Sequence, residues 1–329
     1  MEREWNDKIF GLGDEAFLPA ALELFRYQYR HNPLYQQYTD LLGICPDRVS
    51  QLHELPFLPI RFFKTHEVKT GHFEPVQVFE SSGTTGMSNS RHILRSTDLY
   101  QNSFRRSFEL FYGDIKNYCI LGLLPSYLER GQSSLVYMVN DWIRASGHPQ
   151  SGFYLYDLEK LSNTLRELEL RAQPTLLIGV TFALLDFAAA YPMSLRHTIV
   201  METGGMKGRR TEMVRAEVHA LLQTAFGLKA IHSEYGMTEL LSQAYAEAAG
   251  KFRSVPWMKI LLREEEDPLQ VKPAGSAGRG AINIIDLANR HSCAFIATDD
   301  AAQLCSDGSF EILGRLDNSD LRGCSLLTA

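Results

Sequence analysis

The sequence has little cysteine and no pattern in what it has. Its five cysteines among 329 residues, Cys45, Cys119, Cys293, Cys305 and Cys324, are odd in number, widely spaced and without a C-x-x-C pair. That spacing argues against a disulfide framework and a zinc site, and predicts reduced thiols in a cytoplasmic protein. Positive charge is short as well: 33 Lys and Arg against 39 Asp and Glu leave a net −6. Nothing electrostatic points to nucleic acid or an anionic membrane as a partner. No apolar stretch follows Met1-Glu2-Arg3-Glu4, so no signal peptide is expected. The longest apolar run, Thr175 to Tyr191, is interrupted by Asp186 and bracketed by Pro174 and Pro192. With the polar Thr181 in its middle, it reads as a strand handing over to a helix, not as a membrane span.

What is present is an ordinary globular composition, 45% hydrophobic and 22% charged. Ala16 to Leu42 has helical spacing of its apolar residues, broken at Asn32-Pro33. LPFLPIRFF, from Leu55 to Phe63, carries two prolines and reads as a buried extended connector rather than a central strand. From Tyr118 a regular alternation sets in. YCILGLLP, GFYLYD, TLLIGV, HTIVME and KAIHS each read as a buried strand. Between them, Leu135, Val139, Trp142 and Ile143 share a helical face, as do Leu158, Leu161, Leu165 and Leu168, and Met213, Val214, Val218 and Leu221. Such repetition predicts an α/β fold, a mostly parallel sheet flanked by helices, with ligands at the carboxyl ends of the strands. Past Leu240, SQAYAE, WMKILLRE, GAINIIDL, CAFIAT and SFEILGRL are separated by turn signals and predict a smaller β-rich lobe. The expected division is therefore 1–240, a helical segment and α/β part, and 241–329, a β-rich part with a short tail.

Two stretches carry chemistry. ESSGTTGMSNSRH, Glu80 to His92, follows the strand-like VQVF and packs hydroxyls and glycines into one turn, a poor helix and a poor strand. Such a turn exposes the backbone N–H and hydroxyl donors that phosphate oxygens prefer, although a solvated hairpin loop has the same composition. It is not a Walker-type loop, because no Lys follows Gly86, and no G-x-S-x-G hydrolase elbow occurs. The second stretch is HSEYGMTEL, His232 to Leu240. Its Tyr235-Gly236 pair sets an aromatic ring beside flexible backbone, and Thr238-Glu239 offers a hydroxyl and a hard carboxylate suited to Mg²⁺ and phosphate oxygens.

Together these stretches resemble the glycine-rich phosphate loop and the YG-x-TE motif of the adenylate-forming (acyl-activating) superfamily. Further matches keep the family's order. Thr298-Asp299-Asp300 resembles the ribose motif, Gly314-Arg315-Leu316-Asp317 the G-R-x-D segment, and Gly204-Gly205 the glycine pair that backs the adenine. LPFLPIRFFKTHEV, FESSGTTG and GRLDNSDLRGCSLL are similar to the acyl-protein synthetases of bacterial bioluminescence, which activate fatty acids within a reductase complex.

The resemblance implies ATP and Mg²⁺ as cofactors and a division of roles. Ser81, Ser82, Gly83, Thr84, Thr85 and Gly86 would hold the phosphates. Gly204, Gly205, Tyr235 and Gly236 would hold the adenine, with Asp300 at the ribose and Arg315 near the ribose or the phosphates. Thr238 would lie beside the phosphates, and Glu239 would act as catalytic residue and Mg²⁺ ligand. The family's phosphate loop commonly continues Pro-Lys; here Arg91 would supply the missing charge. Only fifteen residues follow Gly314, which leaves no room for the family's mobile C-terminal domain with its Lys, an expected truncation shared with the acyl-protein synthetases. The implied reaction is attack of a carboxylate, such as a fatty acid, on ATP, with transfer of the acyl group to a thiol. Cys324, five residues from the end, is the candidate acceptor; the other four cysteines read as core. Coenzyme A or a carrier thiol is the alternative acceptor, a reductase a possible partner protein, and a nucleotide binder without turnover the reading outside catalysis.

Overall fold

The computed structural model of the chain describes residues 2–81, 89–124, 132–204 and 213–316. Several of the expected site residues therefore lie outside the described residues: the phosphate-loop positions Ser82, Gly83, Thr84, Thr85 and Gly86, the adenine-backing Gly205, and the acceptor Cys324.

The N-terminal part is helical, as its spacing predicts: α1 (Glu2–Phe10), α2 (Phe17–His31) and α3 (Pro33–Leu41). Asn32 ends α2 and caps α3, its side chain accepting from the Tyr35 N–H at 3.1 Å, with Pro33 in the first turn where no N–H is needed. The two-proline segment contributes β1 (Leu58–Pro59), which pairs with the edge of a sheet, and is followed by the short α4 (Phe62–Thr65). Next comes the hairpin of β2 (Gln77–Glu80) and β3 (Arg91–Leu94), then α5 (Asp98–Tyr112).

The alternating region forms β4 (Cys119–Leu123), α6 (Ser134–Ser146), β5 (Gly152–Phe153), α7 (Leu158–Leu170), β6 (Thr175–Val180), α8 (Thr181–Ala190), β7 (Thr198–Thr203), α9 (Arg215–Phe226) and β8 (His232–Tyr235). Strands β5, β4, β6, β7 and β8 lie side by side and parallel, and β9 (Ala244–Ala246) and β10 (Arg253–Ser254) extend the sheet antiparallel. Every residue of β4 and β6 is buried, as strands covered by helices on both faces must be. The apolar run divides at Thr181 into β6 and α8. Among the described residues no helix is long and apolar enough to cross a membrane.

The second sheet places β1, β13 (Phe295–Leu304), β12 (Gly278–Asp286) and β11 (Met258–Arg263) in that order, with β14 (Phe310–Arg315) also on β13; all its pairings but that of β1 are antiparallel.

Three expectations need correction. The strand read from KAIHS begins only at His232, because Gly227 ends α9 in the left-handed conformation and pairing with β7 starts at Met201–His232. The buried face of α9 is Val218, His219, Leu222 and Phe226, while Val214 and Leu221 are exposed; the row at i, i+4 and i+8 wins over the one chosen from the sequence. Cys45 is exposed, in the turn that follows α3, and Cys305 half-buried, so only Cys119 and Cys293 belong to the core. Burial pushes those two thiols up to about 11 and about 12.

Candidate active site

The β2–β3 hairpin presents the hydroxyl-rich loop at its tip. Ser81 and Ser90 close the loop's neck twice: the Ser81 N–H donates to the Ser90 carbonyl at 3.0 Å, and the Ser90 N–H to Ser81 Oγ at 2.9 Å. Arg91, the first residue of β3, is exposed and pairs in register with Glu80. The Glu80 N–H donates to the Gln132 carbonyl at 2.9 Å, which ties the hairpin to the approach to α6.

The hairpin meets the YGMTE segment directly. The Ser90 hydroxyl faces the Glu239 carboxyl and favours its charged form. Two residues on, within β3, the buried His92 ring faces the Thr238 carbonyl with Nδ1 at 2.8 Å and Asn289 Oδ1 with Nε2 at 3.1 Å. Asn289 in turn donates through Nδ2 to the Glu239 carbonyl at 2.8 Å. A neutral imidazole has one N–H to offer these two acceptors, which by themselves favour its charged form. Desolvation outweighs them and pulls the ring down to about 4, so His92 is uncharged at neutral pH.

Just beyond, Asp286 fixes the outgoing chain. Its buried carboxylate accepts from the Leu241 N–H at 2.8 Å, the Ser242 N–H at 3.0 Å and Ser242 Oγ at 2.6 Å. Sequence reading singled out neither His92, Asn289 nor Asp286. The alternation of β3 does place His92 on the side of Ser90, but Asp286 ends β12 and Asn289 lies in the turn that follows it, and neither carries a local signal.

Glu239 is 5% exposed, and burial raises its carboxyl pKa against the opposing effects of the Ser90 hydroxyl and the positive charges of Lys64 and Arg315. Among the described residues no three acidic, His or Cys side chains cluster as a metal cage. A single buried carboxylate suits Mg²⁺, which retains waters and shares its coordination with substrate phosphates.

The opposite side of the site comes from β8, β13 and β14. The Tyr235 hydroxyl donates to Asp300 Oδ2 at 2.8 Å, and its ring packs edge-on against Phe252 and Phe310, with centroids 5.9 and 5.8 Å away. The ring is only 8% exposed. Asp300 and Arg315 are register partners on β13 and β14, with Arg315 Nε 3.7 Å from Asp300 Oδ1 and the arginine side chain 85% exposed. Burial raises the Asp300 carboxyl, against the Tyr235 hydroxyl and the charge of Arg315. Arg263, buried beneath, donates to the carbonyls of Ile282 at 2.7 Å and Thr298 at 2.6 Å and so holds the strand that carries Asp300.

Gly204 and Gly236 end the strands β7 and β8, both exposed. Gly204 has φ +71°, and its carbonyl accepts from Thr181 Oγ1 at 2.7 Å. Beneath them sit two carboxyl groups that the sequence did not mark. Glu202 is bound by Arg215 Nε at 2.9 Å with His219 Nε2 3.6 Å away. Glu234 accepts from Thr203 Oγ1, and burial, aided by the charge of Glu202, pushes it up to about 7. Thus Thr238 and Glu239 meet Ser90 and His92 on one side and Tyr235, Asp300 and Arg315 meet on the other, while Arg91 alternates with Ser90 and His92 onto the exposed side of β3 and no contact joins it to Thr238 or Glu239 among the described residues.

No family model and no curated protein matches the sequence. Solved structures do match the fold. ATP-bound MatB from Rhodopseudomonas palustris is 18% identical over 74% of this chain and 49% of its own, with a TM-score of 0.55. The O-succinylbenzoate coenzyme A synthetase MenE from Bacillus subtilis, in complex with AMP, is 14% identical over 75% and 50%, at 0.50. The anthranilate CoA ligase AuaEII, in complex with anthranoyl-AMP, is 15% identical over 75% and 48%, also at 0.50. The chain thus has the N-terminal-domain fold of adenylate-forming enzymes and spans about half the length of the structures it matches.

Proposed function

We propose that this chain belongs to the adenylate-forming superfamily and joins a carboxylic acid to the AMP portion of ATP. The observation that carries the reading is the meeting of its two motifs: beside the neck of the hydroxyl-rich loop, His92 Nδ1 lies 2.8 Å from the Thr238 carbonyl and Ser90 faces the Glu239 carboxyl. Two matching structures, in complex with AMP and with anthranoyl-AMP, support the same chemistry.

In the proposed reaction a substrate carboxylate oxygen bonds to the α-phosphorus of ATP while the bond to the bridging oxygen breaks and pyrophosphate leaves. The chain's part is to position two anions and offset their charge. Ser81 to Gly86 donate to phosphate oxygens, with Arg91 and Thr238 beside them. Tyr235, Gly204, Gly205 and Gly236 border the adenine, and Asp300 and Arg315 the ribose. Mg²⁺ would be held by Glu239 and would offset charge on the phosphate oxygens. The neutral His92 and Asn289 keep the Glu239 backbone in place. Burial of Glu239 strengthens the interactions its carboxyl makes.

The activated acyl group then passes to a thiol. Cys324 is the acceptor that the acyl-protein synthetase likeness implies, with a fatty acid as the acid; two of the matching structures, named as a coenzyme A synthetase and a CoA ligase, favour coenzyme A as the second reading. ATP–pyrophosphate exchange over a panel of acids tests the first step: exchange that requires an acid is expected, and none with any acid leaves a nucleotide binder. Radiolabelled acyl-protein that persists in Cys324→Ser removes that cysteine as acceptor.

A further inference from the structure

A cleft of about 330 Å³ opens between α1, α2 and the turn that follows β12, on residues that the adenylation reading does not use. Its walls include Trp5, Glu23, Arg26, Tyr27, Arg30 and Arg290. We propose that it is a second anion site, for a small ligand that carries phosphate.

Three arginines converge there without an acidic partner. Among the described residues no carboxylate pairs with Arg26, Arg30 or Arg290; the acid in the wall, Glu23, accepts from Lys8. The Arg290 guanidinium lies over two rings, 4.8 Å from the Trp5 centroid and 4.5 Å from that of Tyr27. Such cation–π contacts hold the guanidinium without using up its N–H donors. Arg26 spends one N–H on a long 3.5 Å bond to the Val49 carbonyl.

Structural duties account for part of this. Arg30 and His31 stand in the last turn of α2, where cations complement the helix dipole. Arg26 is a full turn earlier, and Arg290 comes from another element. Arg26 and Arg30 are spaced i, i+4, where like charges repel. In a chain of net charge −6, three unpaired arginines around one cleft are not background. Guanidinium forks match phosphate oxygens two at a time, and the volume is at the small end of ligand pockets.

The cleft and the candidate active site share a turn. Asn289 reaches Glu239, while its chain neighbour Arg290 faces the cleft, and Gln28 Nε2 of α2 donates to the carbonyls of both, at 2.9 and 3.0 Å.

Trp5 supplies the probe, since its ring borders the site. Tryptophan emission of the full chain would be titrated with inorganic phosphate, pyrophosphate and coenzyme A, with Trp5→Phe as the control for the origin of the signal. A saturable change is expected, weakened roughly tenfold or more in Arg26→Gln/Arg30→Gln and in Arg290→Lys, each loss being that of charge-assisted hydrogen bonds. Tighter binding of coenzyme A than of the inorganic ions assigns the site to a nucleotide-borne phosphate; equal binding assigns it to the free ion. Unchanged affinity in both variants overturns the proposal, as does binding of poly-glutamate with none of the phosphates. Acid-dependent exchange in Arg26→Gln/Arg30→Gln is expected at the unsubstituted rate. The titration reads the same if adenylation itself fails its test.

Discussion

The two walls of the candidate active site are built on different terms. The wall of β3 and the 238–242 segment is locked: Ser90, His92, Asn289, Glu239 and Asp286 are all buried, and His92, Asn289 and Asp286 hydrogen-bond the backbone of 238–242. On the wall of β13 and β14, Tyr235 and Asp300 are tied to each other, but Arg315 stands in solvent at 85% exposure, 3.7 Å from its acid. Buried polar networks are costly to leave half-made, whereas an exposed pair contributes little. The first wall is therefore a preformed scaffold for charge, and the second leaves its arginine free to be ordered by a ligand.

That contrast can be broken most sharply at Glu239. In Glu239→Gln, acid-dependent ATP–pyrophosphate exchange should fall on the order of a hundredfold or more, with an unchanged fold by circular dichroism. An exchange rate within a few-fold of the unsubstituted chain would remove Glu239 from the chemistry. Asn289→Ala should cost about 3 kcal/mol in denaturant unfolding, because it strands the His92 ring and the Glu239 carbonyl without partners inside the protein. A loss below 1 kcal/mol would mean that the wall is not locked as described.

Acid should loosen the same wall. His92, held down at about 4 and ordinarily near 6.5, binds its proton more readily once unfolded, so its contribution is complete above pH 6.5 and is lost as the pH falls toward 4. His232, also held near 4 by burial, acts in the same direction. Glu234 opposes them: raised to about 7, it favours the folded state at low pH and loses that contribution as the pH rises from 4.5 through 7. Unfolding free energy measured between pH 4.5 and 6.5 should thus rise with pH, and more steeply in Glu234→Gln. An equal slope in both would show that Glu234 does not titrate there. The smallest effect belongs to the second wall, where Arg315→Ala should change stability by no more than about 0.5 kcal/mol while raising the KM for ATP. A stability loss comparable with that of Asn289→Ala would erase the difference between the walls.

Much of the architecture is legible in local pattern. The split of the Thr175–Tyr191 run at Thr181 and the break at Asn32-Pro33 follow from single residues whose backbone preferences are strong. The pattern was less decisive for α9, where two apolar rows compete: Leu221 belongs to the one read from the sequence, Val218, Leu222 and Phe226 to the one that faces the sheet. It was silent on His92, Asn289 and Asp286, since a lone His, Asn or Asp looks alike whether it faces solvent or bridges two sheets.

By itself, then, the sequence determined the order of elements and the two glycine- and hydroxyl-bearing stretches, because helix caps, strand runs and turn chemistry act over a few neighbouring residues. The tertiary structure alone decided that His92 meets Thr238, that Asp300 is held by Tyr235, and that Arg26, Arg30 and Arg290 surround one cleft. Apart from the helical neighbours Arg26 and Arg30, these groups lie from 65 to more than 250 positions apart, and only the packing of the elements brings such groups within reach of one another.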